Sequence, residues 1–492
     1  MSKKRRGNKN DSKPQKLKKT DCFENDKKFP IEEIFAILPN LNEDIFGRLD
    51  NRSLVSCREV SKTWQGYVDS QRIFWIRKIL KYANPQSKFH REWKIVLDKK
   101  PIKILMKFAR FVWLQPKSEC SPLYVAGAMG DIELFDSIKE KTGLKEDSKN
   151  NLGETPFHTA AYNNRINLCK VIIEKLQDKN PKNSFGETPL HRAASMDNFI
   201  LCKLIMEKIQ EKNPASKSGL TPLHHAALKG HFYTCQVIME KLQDKNPGCK
   251  NGVTPLHMAA MKGHLKVCQI MIEKGASVSP TNNSGNTPLQ RAASEGHLNI
   301  CKFIMKRVQN KNPCNKKGST PLHFAARYGH YDVCSLILDL VDAKNPRDHD
   351  GFTPLHLAAS HGHVNICELI FEKIAASGLR LRSSKPVKKV YGINPEDNKG
   401  VSPFHLAAKL GHLEVCKFLC LNLEDQNPKN EEGITPLHLA AEFGHLDVVK
   451  LLCSNLEEKN PKDDYDRTPL EEASDNKHWK IVYFLIAENN LN

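Results

Sequence analysis

The stretch Thr221-Pro222-Leu223-His224-His225-Ala226-Ala227-Leu228-Lys229-Gly230 encodes one short helix and the way it packs. Thr221 can cap the helix through its hydroxyl, and Pro222 suits the first helical position, where an N–H would lack a partner anyway. His224 can bond back to the cap. Ala226 and Ala227 keep the helix thin enough for close neighbours, and Gly230 supplies the left-handed residue that stops it. A second helix follows at once, with Cys235, Ile238, Met239 and Leu242 at the i, i+3, i+4, i+7 spacing of a buried stripe. Lys245-Asn246-Pro247 ends that helix, and Gly252 turns a short finger loop toward the next threonine, Thr254. One unit cannot bury both helices alone, so such units must stack.

The unit recurs. A Thr-Pro-Leu-His phrase or a near variant begins at Thr155, Thr188, Thr221, Thr254, Thr287, Thr320 and Thr353, each 33 residues after the last, and again at Ser402, Thr435 and Thr468. A weaker phrase, Ser121-Pro122-Leu123-Tyr124, lies 34 residues before Thr155, making eleven units. The step from Thr353 to Ser402 is 49 residues, so one unit carries a 16-residue insertion. This order of motifs resembles the ankyrin-repeat family, over roughly three-quarters of the chain. The resemblance implies an all-α solenoid of about eleven helix-turn-helix repeats with short finger hairpins, spanning residues 119–492. It further implies that a partner is held on the finger tips and on the concave face lined by the first helices.

Residues that differ between units give the array its individuality. After the phrase's histidine come Arg192, His225, Met258, Arg291, Phe324, Leu357, Leu406 and Leu439; at the helix stop come Met196, Lys229, Lys262, Glu295, Tyr328, His361, Leu410 and Phe443. Aromatic and arginine side chains are favoured anchors, which makes Arg192, Tyr328 and Phe443 the candidates for contact with a protein target. The insertion, Ala375 to Tyr391, holds Arg380, Arg382, Lys385, Lys388 and Lys389. It is expected to interrupt a finger and project from it, either as a solvated loop or as a dock for an acidic or phosphorylated segment.

Fifteen cysteines and twenty histidines invite a metal reading. Yet Cys169, Cys202, Cys235, Cys268, Cys301, Cys334, Cys367 and Cys416 are one position repeated, fourteen residues after each phrase's first residue. Equivalent sites in adjacent layers stand roughly 8–10 Å apart, whereas zinc draws its thiolates to about 2.3 Å from one ion. They read as small buried apolar side chains. Eight histidines fill the fourth place of the phrase and seven follow the helix stop, leaving five. No His-Glu-x-x-His, Cys-x-x-Cys, phosphate-cradling Gly-Lys-Thr or Gly-x-Ser-x-Gly motif is present, so neither catalysis nor a cofactor is expected.

Residues 29–80 are of another kind. Pro39 opens a short helix with Ile45, Phe46 and Leu49 on its apolar face, Asp50 and Ser53 cap the next, and Leu54, Cys57 and Val60 lead to Trp64. A three-helix module fits, and so does a plain helical cap for the solenoid. Leu38-Pro39, Ile45-Phe46, Leu49-Asp50, Ser53-Leu54 and Val60-Ser61-Lys62-x-Trp64 resemble the order of residues in the F-box family. One departure is a gap from Leu38 to Ile45 that is a residue shorter than usual. The resemblance implies docking to the Skp adaptor of a cullin-RING ubiquitin ligase, with Leu38, Pro39, Ile45, Leu49 and Leu54 at or near the adaptor interface and Val60 and Trp64 stabilising the module. The repeats behind it would then capture the substrate. An ankyrin scaffold or nuclear regulator with no ubiquitin role is the alternative.

The formal net charge of +19 is concentrated outside the repeats. Residues 1–28 carry eleven Lys/Arg against four acids, 71–118 thirteen against two, and 375–400 six against two. The array as a whole is close to neutral, which argues against a nucleic-acid partner. The first segment, with Lys3-Lys4-Arg5-Arg6, reads as a disordered basic tail resembling a nuclear-import signal. Residues 81–118, where Trp93, Ile95, Leu105 and Trp113 alternate with Lys and Arg, read as a basic helical linker whose apolar face is buried, a membrane-surface or nucleic-acid contact being the alternative. No apolar run approaches a membrane span and the start lacks a signal-peptide core, so the expected location is the cytosol or nucleus.

Overall fold

The computed structural model describes residues 79–80, 90–97, 121–378 and 394–490. The chain divides into two units, residues 1–118 and 119–492. In the first, the helix His90–Leu97 buries Trp93, Val96 and Leu97 and leaves Ile95 exposed. Leu38, Pro39, Ile45, Leu49 and Leu54 lie outside the described residues, as do Arg380, Arg382, Lys388 and Lys389 of the insertion.

Twenty-three helices and no strand are found among the described residues. Twenty-two of them form the eleven repeats. The first helices are Pro122–Met129, Pro156–Tyr162, Pro189–Ser195, Pro222–Lys229, Pro255–Met261, Pro288–Ser294, Pro321–Arg327, Pro354–Ser360, Pro403–Lys409, Pro436–Glu442 and Pro469–Asp475. Each packs on the first helices before and after it and on its own second helix. Every first helix opens with proline at its first position, and from Thr155 onward a capping box precedes it. In Pro222–Lys229 the inward residues Leu223, Ala226 and Ala227 are fully buried, and in Phe232–Lys241 so are Cys235, Ile238 and Met239. A fully buried Leu, Ile or Met side chain contributes about 1.5–3 kcal/mol. The two alanines contribute mainly by letting neighbouring backbones approach.

Gly230 stops its helix at φ +79°, and the next repeat enforces the choice. A Cβ placed there would stand 2.6 Å from Nδ1 of His264. The second helix ends earlier than the Lys-Asn-Pro signal suggests. It closes at Lys241, with half-buried Leu242 as its C-cap. Lys245 instead folds back, its Nζ donating to the carbonyls of Met239 and Leu242. Lys344 does the same with Leu338 O at 2.5 Å and Val341 O at 2.6 Å. The asparagine of this motif works forward: Asn345 Oδ1 accepts from the N–H of Leu355, 3.1 Å away in the next first helix. The motif therefore satisfies orphan carbonyls of one helix and an orphan N–H of the following one.

The fingers are single turns rather than strand pairs. Asn183 N–H donates to Glu187 O at 2.8 Å, while Asn183 Oδ1 accepts from the N–H groups of Phe185 and Glu187. That self-capping explains the Asn or Asp found at this place in most repeats. One backbone bond joins each finger to the next, such as Ser184 N–H to Leu152 O at 2.8 Å.

The insertion enters before the finger, not within it. The helix Val364–Gly378 runs into its start, and beyond it Asp397 N–H to Val401 O closes an ordinary finger turn. Asn398 N–H still reaches Asp350 O at 3.1 Å, so the stack continues across the insertion without a break. Sixteen extra residues can be accommodated there because both ends are pinned by contacts that do not involve them.

Candidate binding surface

Two ladders of histidine hold the repeats together. In the phrase, Nδ1 of His224 accepts from the backbone N–H of Thr221 at 3.1 Å, and its Nε2 donates to Val253 O of the next repeat at 2.9 Å. The same pair of bonds recurs at His158, His191, His257, His323, His356, His405 and His438. Gln290 reproduces it with an amide, Oε1 accepting from Thr287 N–H at 2.7 Å and Nε2 donating to Ser319 O at 2.8 Å. Tyr124 reaches Glu154 O, the equivalent carbonyl, with its hydroxyl at 2.7 Å. Both bonds require a neutral ring with its proton on Nε2. Burial accordingly lowers these histidines, to about 4 at His158, His224, His257, His356 and His405 and to about 3 at His191.

The second ladder runs backward. Nε2 of His231, His264, His297 and His330 donates to Ser195 O, Leu228 O, Met261 O and Ser294 O of the preceding repeat, at 3.0–3.2 Å. His478, which follows Lys477 rather than glycine, joins it through Glu442 O at 2.9 Å. Arg165 and Asn198 make the corresponding bonds in the second and third repeats. The eight repeated cysteines are fully buried. Burial pushes their thiols up, to about 12 at Cys268, Cys301, Cys334 and Cys367, so they stay protonated and apolar.

With those positions committed to the stack, the rows that vary are the ones free of that role. Counting each phrase's Thr or Ser as zero, position 4 and position 8 lie on one face of the first helix. The residue just before the phrase borders them, as Arg192 shows. Its guanidinium Nε lies 3.0 Å from Glu154 Oε1 and its Nη2 3.2 Å from Glu187 Oε2, both acids occupying that preceding position. His225 Nε2 stands 3.5 Å from Glu187 Oε1 in the same cluster. Arg192 is thus held by two carboxylates and is not presented free.

Tyr328 and Phe443 stand open, 52% and 43% exposed, in one row with His361 and with Leu410, itself 49% exposed. The structure therefore brings these two candidates onto a shared face and places Arg192 in a separate, ion-paired stretch. Leu410 belongs beside them, and its only signal in the sequence was membership of the same variable row. A second group also escaped the sequence reading: Phe199, Ile200 and Tyr233 are exposed at the starts of two second helices, with Phe199 and Tyr233 ring centroids 5.7 Å apart. Its signal was available, because the second position of those helices is polar in the other nine repeats.

A family model described as ankyrin repeats, in three copies, matches residues 123–216, 172–247, 238–313, 307–382, 344–430, 382–462 and 404–492. A model described as an F-box domain matches residues 35–76. No curated protein gives a significant match to the chain. No helix among the described residues is long and apolar enough to cross a membrane.

Proposed function

The chain belongs to the ankyrin-repeat family and places an F-box domain ahead of the repeats, a pairing of two protein-interaction modules, and from it we propose a substrate receptor of an SCF-type cullin-RING ubiquitin ligase. In this reading residues 35–76 dock the Skp-type adaptor, the variable rows of the repeats hold the target, and ubiquitin is transferred by the other ligase subunits. The observation that carries it is the order of the two modules: an F-box domain of about forty residues ahead in sequence of a long stack whose variable positions are exposed at position 8 and half-buried at position 4. Leu38, Pro39, Ile45, Leu49 and Leu54 are the proposed adaptor contacts.

Co-purification of a Skp-type adaptor with the full chain tests the reading. Wild type should retain the adaptor, and the double variant Leu38→Ala/Pro39→Ala should lose it while its repeats melt unchanged. Failure of wild-type protein to retain any Skp-type adaptor would count decisively for a scaffold without a ubiquitin role.

A further inference from the structure

We propose that the seventh to tenth repeats capture a protein segment with an apolar face and Lys or Arg beside it, laid along the row from Tyr328 to Phe443. The receptor reading enters only for the fate of the bound segment; the recognition chemistry is independent of it.

The first support is the change in surface along the array. Tyr328, Leu410 and Phe443 are exposed, and Phe324, Leu406 and Leu439 beneath them are half-buried. The residues before the phrases continue the pattern with half-buried Phe352, Val401 and Ile434. In the third to sixth repeats the same rows are mostly polar, with Arg192, His225 and Arg291, then Lys229, Lys262 and Glu295; half-buried Met258 and exposed Met196 are the exceptions. The eighth repeat contributes exposed His361 and half-buried Leu357, so the exposed row is apolar in three of these four repeats; single exposed apolar residues are ordinary, whereas such a recurring set marks an interaction surface.

Charge identifies the occupant. Residues 121–378 hold thirty-two Lys/Arg against twenty-four Asp/Glu, and residues 394–490 hold ten against eighteen. The neutrality of the array is a cancellation between a basic part and an acidic one. Exposed acids crowd the fingers beside the apolar rows: Asp350, Glu396, Glu431, Glu432, Asp464 and Asp466. Two cations of these helices lie against the rings of the row, Lys409 Nζ 4.9 Å from the Phe443 ring centroid and Arg327 5.7 Å from that of Tyr328, and exposed Arg347 and Lys399 are outnumbered by the finger acids. An acidic rim repels nucleic acid and anionic lipid, so the surface suits a basic protein segment. Four helices spaced by roughly 8–10 Å span about 24–30 Å, the length of a helix of about 16–20 residues.

Selection of displayed random 20-residue peptides on the full chain tests this. Expected are peptides with apolar residues at i, i+3, i+4 and i+7 and a net positive charge, weakening as salt rises. Their affinity should fall about tenfold or more with Leu410→Ser/Phe443→Ser and likewise with Glu431→Lys/Glu432→Lys. Lys229→Glu/Lys262→Glu, on the polar rows, should leave it unchanged. All three pairs lie on exposed positions, and unchanged melting confirms that each variant folds. Enrichment of acidic or uncharged peptides, or insensitivity to Leu410→Ser/Phe443→Ser, overturns the proposal. So does binding that appears only after residues 1–28 are removed, which would make that basic segment the occupant, or a dimer that the Leu410/Phe443 pair abolishes. Adaptor co-purification from the same preparations is read separately: its loss sinks the receptor reading and leaves the peptide result standing.

Discussion

Replacing buried phrase histidines by glutamine should make the array resistant to acid without weakening it at neutral pH. Gln290 shows that an amide can make both bonds of the ladder, and an amide does not titrate. The folded-state pKa of His224, His257 and His356 is about 4, against about 6.5 in an unfolded chain. A lowered histidine pKa means that the unfolded state binds more protons between those values. Stability is therefore fully present above about pH 6.5 and is lost as pH falls toward 4. By that relation each such histidine costs about 2 kcal/mol on going from pH 7.5 to pH 5. Three substitutions, His224→Gln, His257→Gln and His356→Gln, should then recover about 6 kcal/mol of the acid loss, a large share of ordinary domain stability. Urea midpoints at pH 7.5 and pH 5, followed by circular dichroism, measure it. Long repeat arrays depart from two-state unfolding, so the comparison is of midpoint differences between wild type and variant. An acid limb that is unchanged in a triple variant of normal neutral stability would refute the assignment of the neutral Nε2–H form.

Two further substitutions probe the joints between helices. Gly230→Ala combines a positive φ with a Cβ 2.6 Å from His264 and should cost about 2–3 kcal/mol, since both the strain and the His264 bond to Leu228 O are affected. Gly143→Ala, also at positive φ but with nothing within 4 Å, should cost only about 1 kcal/mol; equal losses in thermal melts would remove the role given to His264. Lys344→Met should lose about 1 kcal/mol by freeing the carbonyls of Leu338 and Val341, and Lys344→Gln should lose less, because Gln426 already makes the corresponding bond to Cys420 O at 2.9 Å.

The parts of this fold that could be read from the sequence are those decided within one repeat. Thr221, Pro222 and Gly230 act over three to nine residues, and the pairing of His224 with its cap is a contact at i, i+3. The cysteine position could be read because eight copies share one spacing, which is a statement about packing rather than chemistry. What could not be read are the contacts made 29 or 36 residues away, because they exist only once the units are stacked. The Nε2 bond of His224 to Val253 O and that of His264 to Leu228 O belong to this class. So does the role of Arg192, which has the composition of an anchor yet lies between Glu154 and Glu187 of successive fingers. The Lys-Asn-Pro motif marked the end of a helix correctly in kind, but the lysine reaches back to the carbonyls from four residues beyond the helix end.

The positions that stack and the positions proposed to recognise a partner are chemically separate, which bears on how such an array can differ from others. Position 3 must offer an acceptor to the cap and, where a finger follows, a donor to it. His, Gln and Tyr meet the forward requirement at His224, Gln290 and Tyr124. The Glu471 side chain has no N–H to give and no further finger follows it in the described array, yet its Oε2 still accepts from Thr468 N–H at 2.9 Å. The residue choice thus tracks the bonds available rather than a repeated motif for its own sake. Positions 4 and 8 carry no such obligation to the cap or to the next finger's carbonyl, so they can pass from Lys229 to Leu406 and Phe443 without disturbing the histidine bonds between layers; Arg192, paired with Glu154 and Glu187, is the position-4 residue that does add a bond between repeats. Changes confined to those rows should alter which segment binds while leaving the stack intact, and changes at position 3 should do the reverse.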